Sequence, residues 1–395
     1  MKTSLVFLAA KRTPFGANGG LFRDVPAVEL GLLAANAAIA QSRVAPSDFD
    51  HVIFGSVLYS SGDSIYIPRH VGLRAGIPEA VPALGINRLC GTGFQTVVEA
   101  YQQMCAGDTK IALVGGVENM SQAPFLIRSV RWGAKMGHQP ITDIMMESLY
   151  DVYAGAPMAI TAENLAEKYR ISREDSDRFA LRSQTRYEQG FLAGEYASEI
   201  VPYETQDRKG NAVRLDRDEH SKPATTLEGL GKLKPLFKKD GVVTAGNASG
   251  IVDGAAVLVV ATEEEAKIRG LTPLGRLVSY GVSGCDPKIM GIGPAPASRQ
   301  ALARAGLKIS DMDLIEVNEA FAPQALAVQK ELEIPDDVFN VDGGAVALGH
   351  PLAASGTRIV AHLLYGLRRR KKRFGLGAAC IGGGQGIALV VEAYS

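Results

Sequence analysis

The sequence predicts an α/β protein with a duplicated core. Three observations lead there. Short apolar runs alternate with stretches of helical periodicity. A turn of small residues, a helix, a polar link, a strand and a group of glycines recur in that order near both ends. Between the two copies lies a polar, charged region without this alternation.

Taken in order, SLVFLAA at 4–10 reads as a buried strand. The start superficially resembles a signal peptide, but its apolar run from Leu5 to Ala10 is short and Lys11-Arg12 follow at once. Residues 27–41, AVELGLLAANAAIAQ, have helical spacing, and HVIFGSVL at 51–58 reads as a strand. NRLCGTGF, Asn87 to Phe94, opens the first copy of the repeat. Phe94, Val97, Val98, Tyr101 and Met104-Cys105 then fall at helical intervals, and KIALVGGVE at 110–118 is the strand that closes on glycines. From about 120 to 250 the character changes. A charged amphipathic helix at 172–190 and a polar stretch at 204–222 suggest an inserted region that covers a substrate. Strand signals return at 255–262, 314–321, 374–384 and 386–393, with helical spacing at 297–305 and 355–369. AASGTRIVAHLLYGLRRR running into KKRFGLGAACIGGG is the second copy.

With 395 residues the chain is long enough for two domains or one duplicated one. Lys plus Arg equals Asp plus Glu, so no global charge attracts nucleic acid or an anionic membrane. No run of about 18 apolar residues exists, so no membrane span is expected. The four cysteines, Cys90, Cys105, Cys285 and Cys380, form no CxxC pair and no zinc-type spacing with His. Reduced thiols in a cytosolic type of compartment, and no bound metal, follow as expectations.

Cys90 falls at or just before the first turn of a helix. Free N–H groups and the helix dipole favour a thiolate there, and the two neighbouring glycines would leave it open to a substrate. A small buried cysteine in a Gly-rich turn is the alternative. Asn318, in NEAFAP, ends a strand-like run and reads either as a helix N-cap or as a polar group held for a ligand. His350 sits between Gly349 and Pro351 in a constrained loop, suited to acid/base or oxyanion duty. His362 falls mid-helix and reads as surface or packing. Cys380 ends a strand before three glycines whose N–H groups could bind an anion, or it simply packs the core.

At these residues the chain resembles the thiolase family, and the resemblance runs nearly end to end. It is carried by NRLCGTGFQ, GGVENMSQAP, TAENLA, TAGNASGIVDGAA, MGIGPAPA, DLIEVNEAFAPQ, GGAVALGHPLAASG and CIGGGQG in that order. Two cysteines beside NEAF and GHP distinguish it from ketoacyl synthases, which pair the nucleophile with two His or with His and Asn. The resemblance implies a thiolase fold, two βαβαβαββ halves in five αβαβα layers. Residues 1–119 with 251–272 would form the first half, 120–250 an inserted loop domain, and 273–395 the second half. It implies thiolytic cleavage of 3-ketoacyl-CoA, and the reverse Claisen condensation of acetyl-CoA, by ping-pong chemistry. Coenzyme A and acyl-CoA would be substrates, with no permanently bound cofactor.

The same resemblance assigns roles. Cys90 would attack the keto carbon and hold the acyl group as a thioester, with His350 helping to form the thiolate. Cys380, as a thiol of near-neutral pKa, would protonate the departing enolate or remove the C2 proton in reverse. His350 and a water held by Asn318 would stabilise the enolate, and the N–H groups of Cys90 and Gly382 the tetrahedral oxyanion. Coenzyme A would contact Leu149, Met158, Lys222, Phe237, Ala245, Ser249, Ala320 and Phe321. Lys222 departs from the Arg that related enzymes often carry. Pro157-Met158 departs from the His-Met of biosynthetic acetoacetyl-CoA thiolases and resembles mitochondrial-type 3-ketoacyl-CoA thiolases, which implies degradation of short to medium chains. A homodimer or homotetramer is expected, with the tetramer contact around 120–140. The compartment would be the cytoplasm in a bacterium or the mitochondrial matrix in a eukaryote. A ketoacyl-synthase-like enzyme and a silent acyl-CoA-binding protein are the competing readings.

Overall fold

The computed structural model of the chain describes residues 3–206 and 210–394. In the first half the main elements are β1 (Leu5–Arg12), α1 (Ala27–Ser42), β2 (His51–Gly55), α2 (Ile67–Arg74), β3 (Ala83–Ile86), α3 (Thr92–Ala106) and β4 (Ile111–Glu118). Two longer helices follow in the middle region, α4 (Met158–Tyr169) and α5 (Arg173–Leu192), then β5 (Val252–Thr262). The second half contains β6 (Gly275–Gly284), α6 (Pro294–Ala305), β7 (Leu314–Val317), α7 (Ala322–Leu332), α8 (Ser355–Arg369), β8 (Phe374–Ile381) and β9 (Gln385–Ala393).

The strands follow one another in the order β7-β8-β9-β6-β1-β5-β4-β2-β3. β1 and β6 join the two halves through only two residue pairs, Val6 with Arg276 and Phe7 with Gly275. On either side of that pinch the pattern repeats. β1 is antiparallel to β5, and β5 to β4, while β2 runs parallel to β4. Likewise β6 is antiparallel to β9, and β9 to β8, while β7 runs parallel to β8. Both first pairings slip register at the same place, between Phe7 and Ala9 and between Leu277 and Ser279. At the far edge of the second half, Phe339 bridges Ile315 in parallel, where β3 stands in the first.

Helices α3 and α8 lie between the half-sheets. Phe94, Val97 and Val98 share one core with Ile359, Val360 and Leu363, sealed by Phe7, Val114, Leu258 and Leu389. Helix α1 covers the outer face of the first half-sheet with Val28, Leu30 and Ala34. Helices α6 and α7 cover the outer face of the second with Ala295, Ala301, Ala325 and Val328. This gives the five layers αβαβα. The central strands are buried on both faces, which is why they read as unbroken apolar runs.

The two helix starts in the central layer touch. A Cβ at Gly93 would lie 2.7 Å from the Ala353 carbonyl oxygen, and one at Gly356 would lie 2.2 Å from the Phe94 nitrogen. Gly91 faces Ile381, whose Cδ1 would be 2.5 Å from an added Cβ. The glycines beside Cys90 therefore serve packing between the halves; the expectation that they open Cys90 to substrate is corrected.

A buried ion cluster ties the middle region to both halves. Arg12 on β1 meets Glu199 and Asp218, each at 2.7 Å. His362 on α8 lies between Glu199 and Asp342, each at 3.0 Å, with Tyr196 stacked on its ring. Burial would lower the His362 pKa, but the two carboxylates outweigh it and raise it to about 10. His362 is thus a buried cation, not a surface or simple packing residue as its mid-helix position suggested. No helix among the described residues is long and apolar enough to cross a membrane, and no His/Cys/Asp/Glu group among them could hold a metal ion.

Candidate active site

Cys90 lies in a single 3-10 turn, Leu89–Gly91, between β3 and α3. The turn is built locally: Asn87 Oδ1 accepts from the Leu89 N–H at 2.9 Å and Thr92 Oγ1 from the Arg88 N–H at 2.8 Å. Leu89 takes φ 48°, a left-handed conformation costly for a branched side chain and concentrated at functional sites. The backbone N–H groups of Gly382 and of Cys90 itself act to lower the pKa of the Cys90 thiol.

Burial nevertheless pushes the Cys90 thiol up to about 11, against those two N–H groups, and the nearby Glu118 carboxylate adds to the rise. Burial thus acts against the thiolate expected at this helix start. Charge must come from a base. His350 is buried, and burial, with Arg358 beside it, lowers its imidazole to about 3. A neutral imidazole is a free acceptor. Its Nδ1 lies 2.6 Å from Ser355 Oγ, a partner that fixes ring orientation. Gly349, at φ 96°, swings the chain into this loop.

Asn318 follows β7 and its N–H bonds the Ala378 carbonyl at 2.8 Å, while Phe321 caps α7. The N-cap reading of Asn318 is therefore overturned. Its amide Nδ2 is 3.4 Å from both ring nitrogens of His350, so it stands against the ring, and its buried Oδ1 has no protein partner. An orphaned buried acceptor beside an imidazole suits a water or a ligand donor.

Cys380 is the penultimate residue of β8 and is fully buried, in a cluster with Met290, Ala320, Met158 and Phe321. Burial raises its thiol well above the ordinary range, and the neighbouring Cys90 and Cys285 raise it further. It is a protonated acid in the free protein, which corrects the near-neutral pKa assigned to it. Cys105 is exposed and Cys285 half-buried; all four thiols are free.

The residues read as coenzyme A contacts fall into a linked group around Met158 and Ala320 and a separate pair, Lys222 and Ala245, with Phe237 apart. The Met158 N–H bonds the Leu149 carbonyl at 2.8 Å, and the Ser249 N–H bonds the Ala320 carbonyl at 3.0 Å. Ala248 bridges Phe321. Lys222 and Ala245 line one cavity of about 410 Å³ with Gln184, His220, Thr226 and Leu233. Phe237 is exposed on the stretch just before it. Beside Cys90, Leu58, Met120 and Leu352 form an apolar wall joined by Val57, Ile144 and Met145.

Reasoning from the sequence missed Ser355, Glu118 and this wall. GHPLAASG contains Ser355, but only the fold turns it back onto the histidine five residues earlier.

The thiolase N-terminal domain family matches residues 5–264 and the thiolase C-terminal domain family residues 271–393. The chain is 54% identical to the mitochondrial 3-ketoacyl-CoA thiolase of Bos taurus over 98% of this chain and 97% of that protein. It is 47% identical to a probable acetyl-CoA acyltransferase of Staphylococcus epidermidis over 99% of each. The crystal structure of the human mitochondrial 3-ketoacyl-CoA thiolase superimposes with a TM-score of 0.97 at 53% identity, covering 99% of both chains. A crystal structure of the human enzyme in complex with CoA gives a TM-score of 0.96 at 52% identity, covering 99% of this chain and 98% of that one. With matched families spanning nearly its whole length, the chain belongs to the thiolase family and is an acyltransferase.

Proposed function

We propose that this thiolase cleaves 3-ketoacyl-CoA of short to medium chain length with free CoA, yielding acetyl-CoA and a shortened acyl-CoA. The reaction also runs in reverse as a Claisen condensation. The observation that carries this reading is that Cys90 packs against the cluster holding Leu352 of the His350 turn, while the buried His350 ring has Asn318 Nδ2 at 3.4 Å and Ser355 Oγ at 2.6 Å.

In the first half-reaction His350 takes the Cys90 proton and the thiolate attacks the C3 carbonyl. The N–H groups of Cys90 and Gly382 hold the oxyanion. The C2–C3 bond breaks, and the acetyl-CoA enolate takes the Cys380 proton while His350 and Asn318 stabilise its oxygen. In the second, the Cys380 thiolate takes the proton of the incoming CoA thiol, the CoA sulfur attacks acyl-Cys90, the Cys90 C–S bond breaks to release the shortened acyl-CoA, and the Cys90 thiolate recovers its proton from His350. The wall of Leu58, Met120 and Leu352 supports an acyl group of several carbons beside Cys90. The cavity at Lys222 and Ala245 supports the nucleotide end of CoA. The division at 119, 250 and 272 stands as the domain organisation of this reading.

The exposed apolar residues Phe125, Ile127, Val130, Trp132, Met136 and Ile141 favour contact between copies through this stretch, hence a homodimer or homotetramer. The compartment follows the host: bacterial cytoplasm, or mitochondrial matrix in a eukaryote.

A second reading, a dedicated biosynthetic acetoacetyl-CoA thiolase, is disfavoured by Pro157 before Met158. CoA-dependent loss of the enolate absorbance of 3-ketoacyl-CoA, measured over chains of four to about twelve carbons, separates the two. Cleavage extending beyond four carbons supports degradation, and cleavage of acetoacetyl-CoA alone supports the biosynthetic reading.

A further inference from the structure

Glu118, the last residue of β4, is completely buried and takes no part in the chemistry above. Its Oε1 accepts from the Ser56 hydroxyl at 3.2 Å, the Val57 N–H at 3.2 Å and the Leu58 N–H at 2.9 Å. Its Oε2 accepts from the Val57 N–H at 3.1 Å and the Ala353 N–H at 3.2 Å. Val57 and Leu58 belong to the apolar wall packed with Cys90. Ala353 lies in the short turn Leu352–Ala354, between His350 and the Ser355 that bonds its ring. One carboxylate therefore ties the wall beside the thiol to the turn that carries the base, across the boundary between the halves.

The corresponding strand end in the second half is Ile381, which packs against Gly91 and needs no carboxylate. An apolar residue can thus close such a strand, so the acid at 118 answers a different need. Burial raises the Glu118 pKa to about 7, with the N–H groups of Leu58, Val57 and Ala353 and the Ser56 hydroxyl pulling it down. Only a carboxylate offers enough lone pairs for all of these donors.

Resting on the assignment of Cys90 as nucleophile, we propose that Glu118 is a positioning residue that fixes the distance between Cys90 and His350. Glutamine is the same size but brings an NH₂ group among N–H donors, and aspartate keeps the charge but is one methylene short of Ala353. Either change lets the His350 turn shift, and a misplacement of about 1 Å costs on the order of 100-fold.

The experiment compares Glu118→Gln and Glu118→Asp with wild type. Folding is read by circular dichroism and CoA affinity by calorimetry. Single-turnover acylation of Cys90 from acetyl-CoA is read by quenched mass spectrometry. The expected result is a folded variant with CoA affinity within about threefold of wild type and acylation slowed about 30- to 100-fold. General loosening of the protein would weaken CoA binding along with acylation, and that parallel loss would overturn the proposal. So would acylation within threefold of wild type, or failure of both variants to fold. A wild-type enzyme that turns over without forming acyl-Cys90 would instead overturn the nucleophile assignment itself.

Discussion

The central helices α3 and α8 begin against each other at Gly93 and Gly356, yet only one of these helix starts carries a thiol. Counting outward from that glycine pair, Ala353 stands where Cys90 does, and Asn87 where His350 does. Gly55 matches Asn318, Val117 matches Cys380 and Asn119 matches Gly382. The second set makes structure only: Asn119 bonds the Phe22 and Val25 carbonyls and the Gln122 N–H. The comparison teaches that the duplicated scaffold repeats the same positions twice and that only one set forms the crevice of the proposed chemistry. That crevice needs its nucleophile from the first half and its base, amide and acid from the second. Contacts across the boundary therefore matter more here than contacts within either half.

The largest effect should come from removing the thiol that sets the two helix starts apart. Cys90→Ser replaces the thiol with an alcohol that a base of this kind does not ionise, and turnover should fall by about 10⁴ or more. Activity within tenfold of wild type would count against the asymmetry. Cys380→Ser should separate the half-reactions. Acylation of Cys90 by a simple acyl-CoA needs no proton at C2 and should persist. Exchange of the acetyl-CoA C2 protons with deuterated water, followed by NMR, should drop by about 10²–10⁴. Retained exchange would remove Cys380 from the mechanism and leave it a core residue like Val117.

Asn318→Ala should lower kcat by about 10²–10³, the scale for one oxyanion donor, with the fold intact by circular dichroism. Unfolding would show that this Asn holds the structure instead.

The smallest effect on turnover, with a clear effect on stability, is expected at His362. Its counterpart on α3 is Glu99, half-buried and bonded to Gln103. The folded-state pKa of His362, about 10, lies above the ordinary value of 6.5. The native state therefore holds this proton more tightly than the unfolded chain. The stabilisation is complete below about pH 6.5 and is lost as pH rises towards 10. His362→Gln should lose that dependence and cost about 3–5 kcal/mol at neutral pH, because Glu199 and Asp342 lose their shared cation. Denaturant melts at pH 6 and pH 9.5 check this, and identical pH slopes in the two proteins would show that His362 is not a buried cation.

Much of this was legible in the sequence. Runs such as KIALVGGVE and AAVLVVAT announced doubly buried strands, and the order of turn, helix, strand and glycines announced the duplication. β6 was missed, because GRLVSYGVSG alternates buried and half-buried residues instead of forming an apolar run. β3 was missed because Ala83–Ile86 is short and partly exposed. The candidate residues Cys90, Asn318, His350 and Cys380 were visible because glycine and proline motifs surround them. Their ionisation was not. A sequence shows that Cys90 precedes a helix, but the burial that raises its thiol pKa exists only once the halves close over it. Glu118 and Ser355 were hidden for the same reason: their partners lie in other segments or across a folded turn.

The central claim is that one sulfur, at the junction of the halves, carries the acyl group. The direct test is to incubate the enzyme with an acyl-CoA in the absence of free CoA, quench at low pH, digest, and locate the added acyl mass. The account predicts one acyl group per chain, on the peptide containing Cys90, discharged on adding CoA. An acyl group on Cys380 or Cys285, or no acylation in a preparation that turns over, would contradict it.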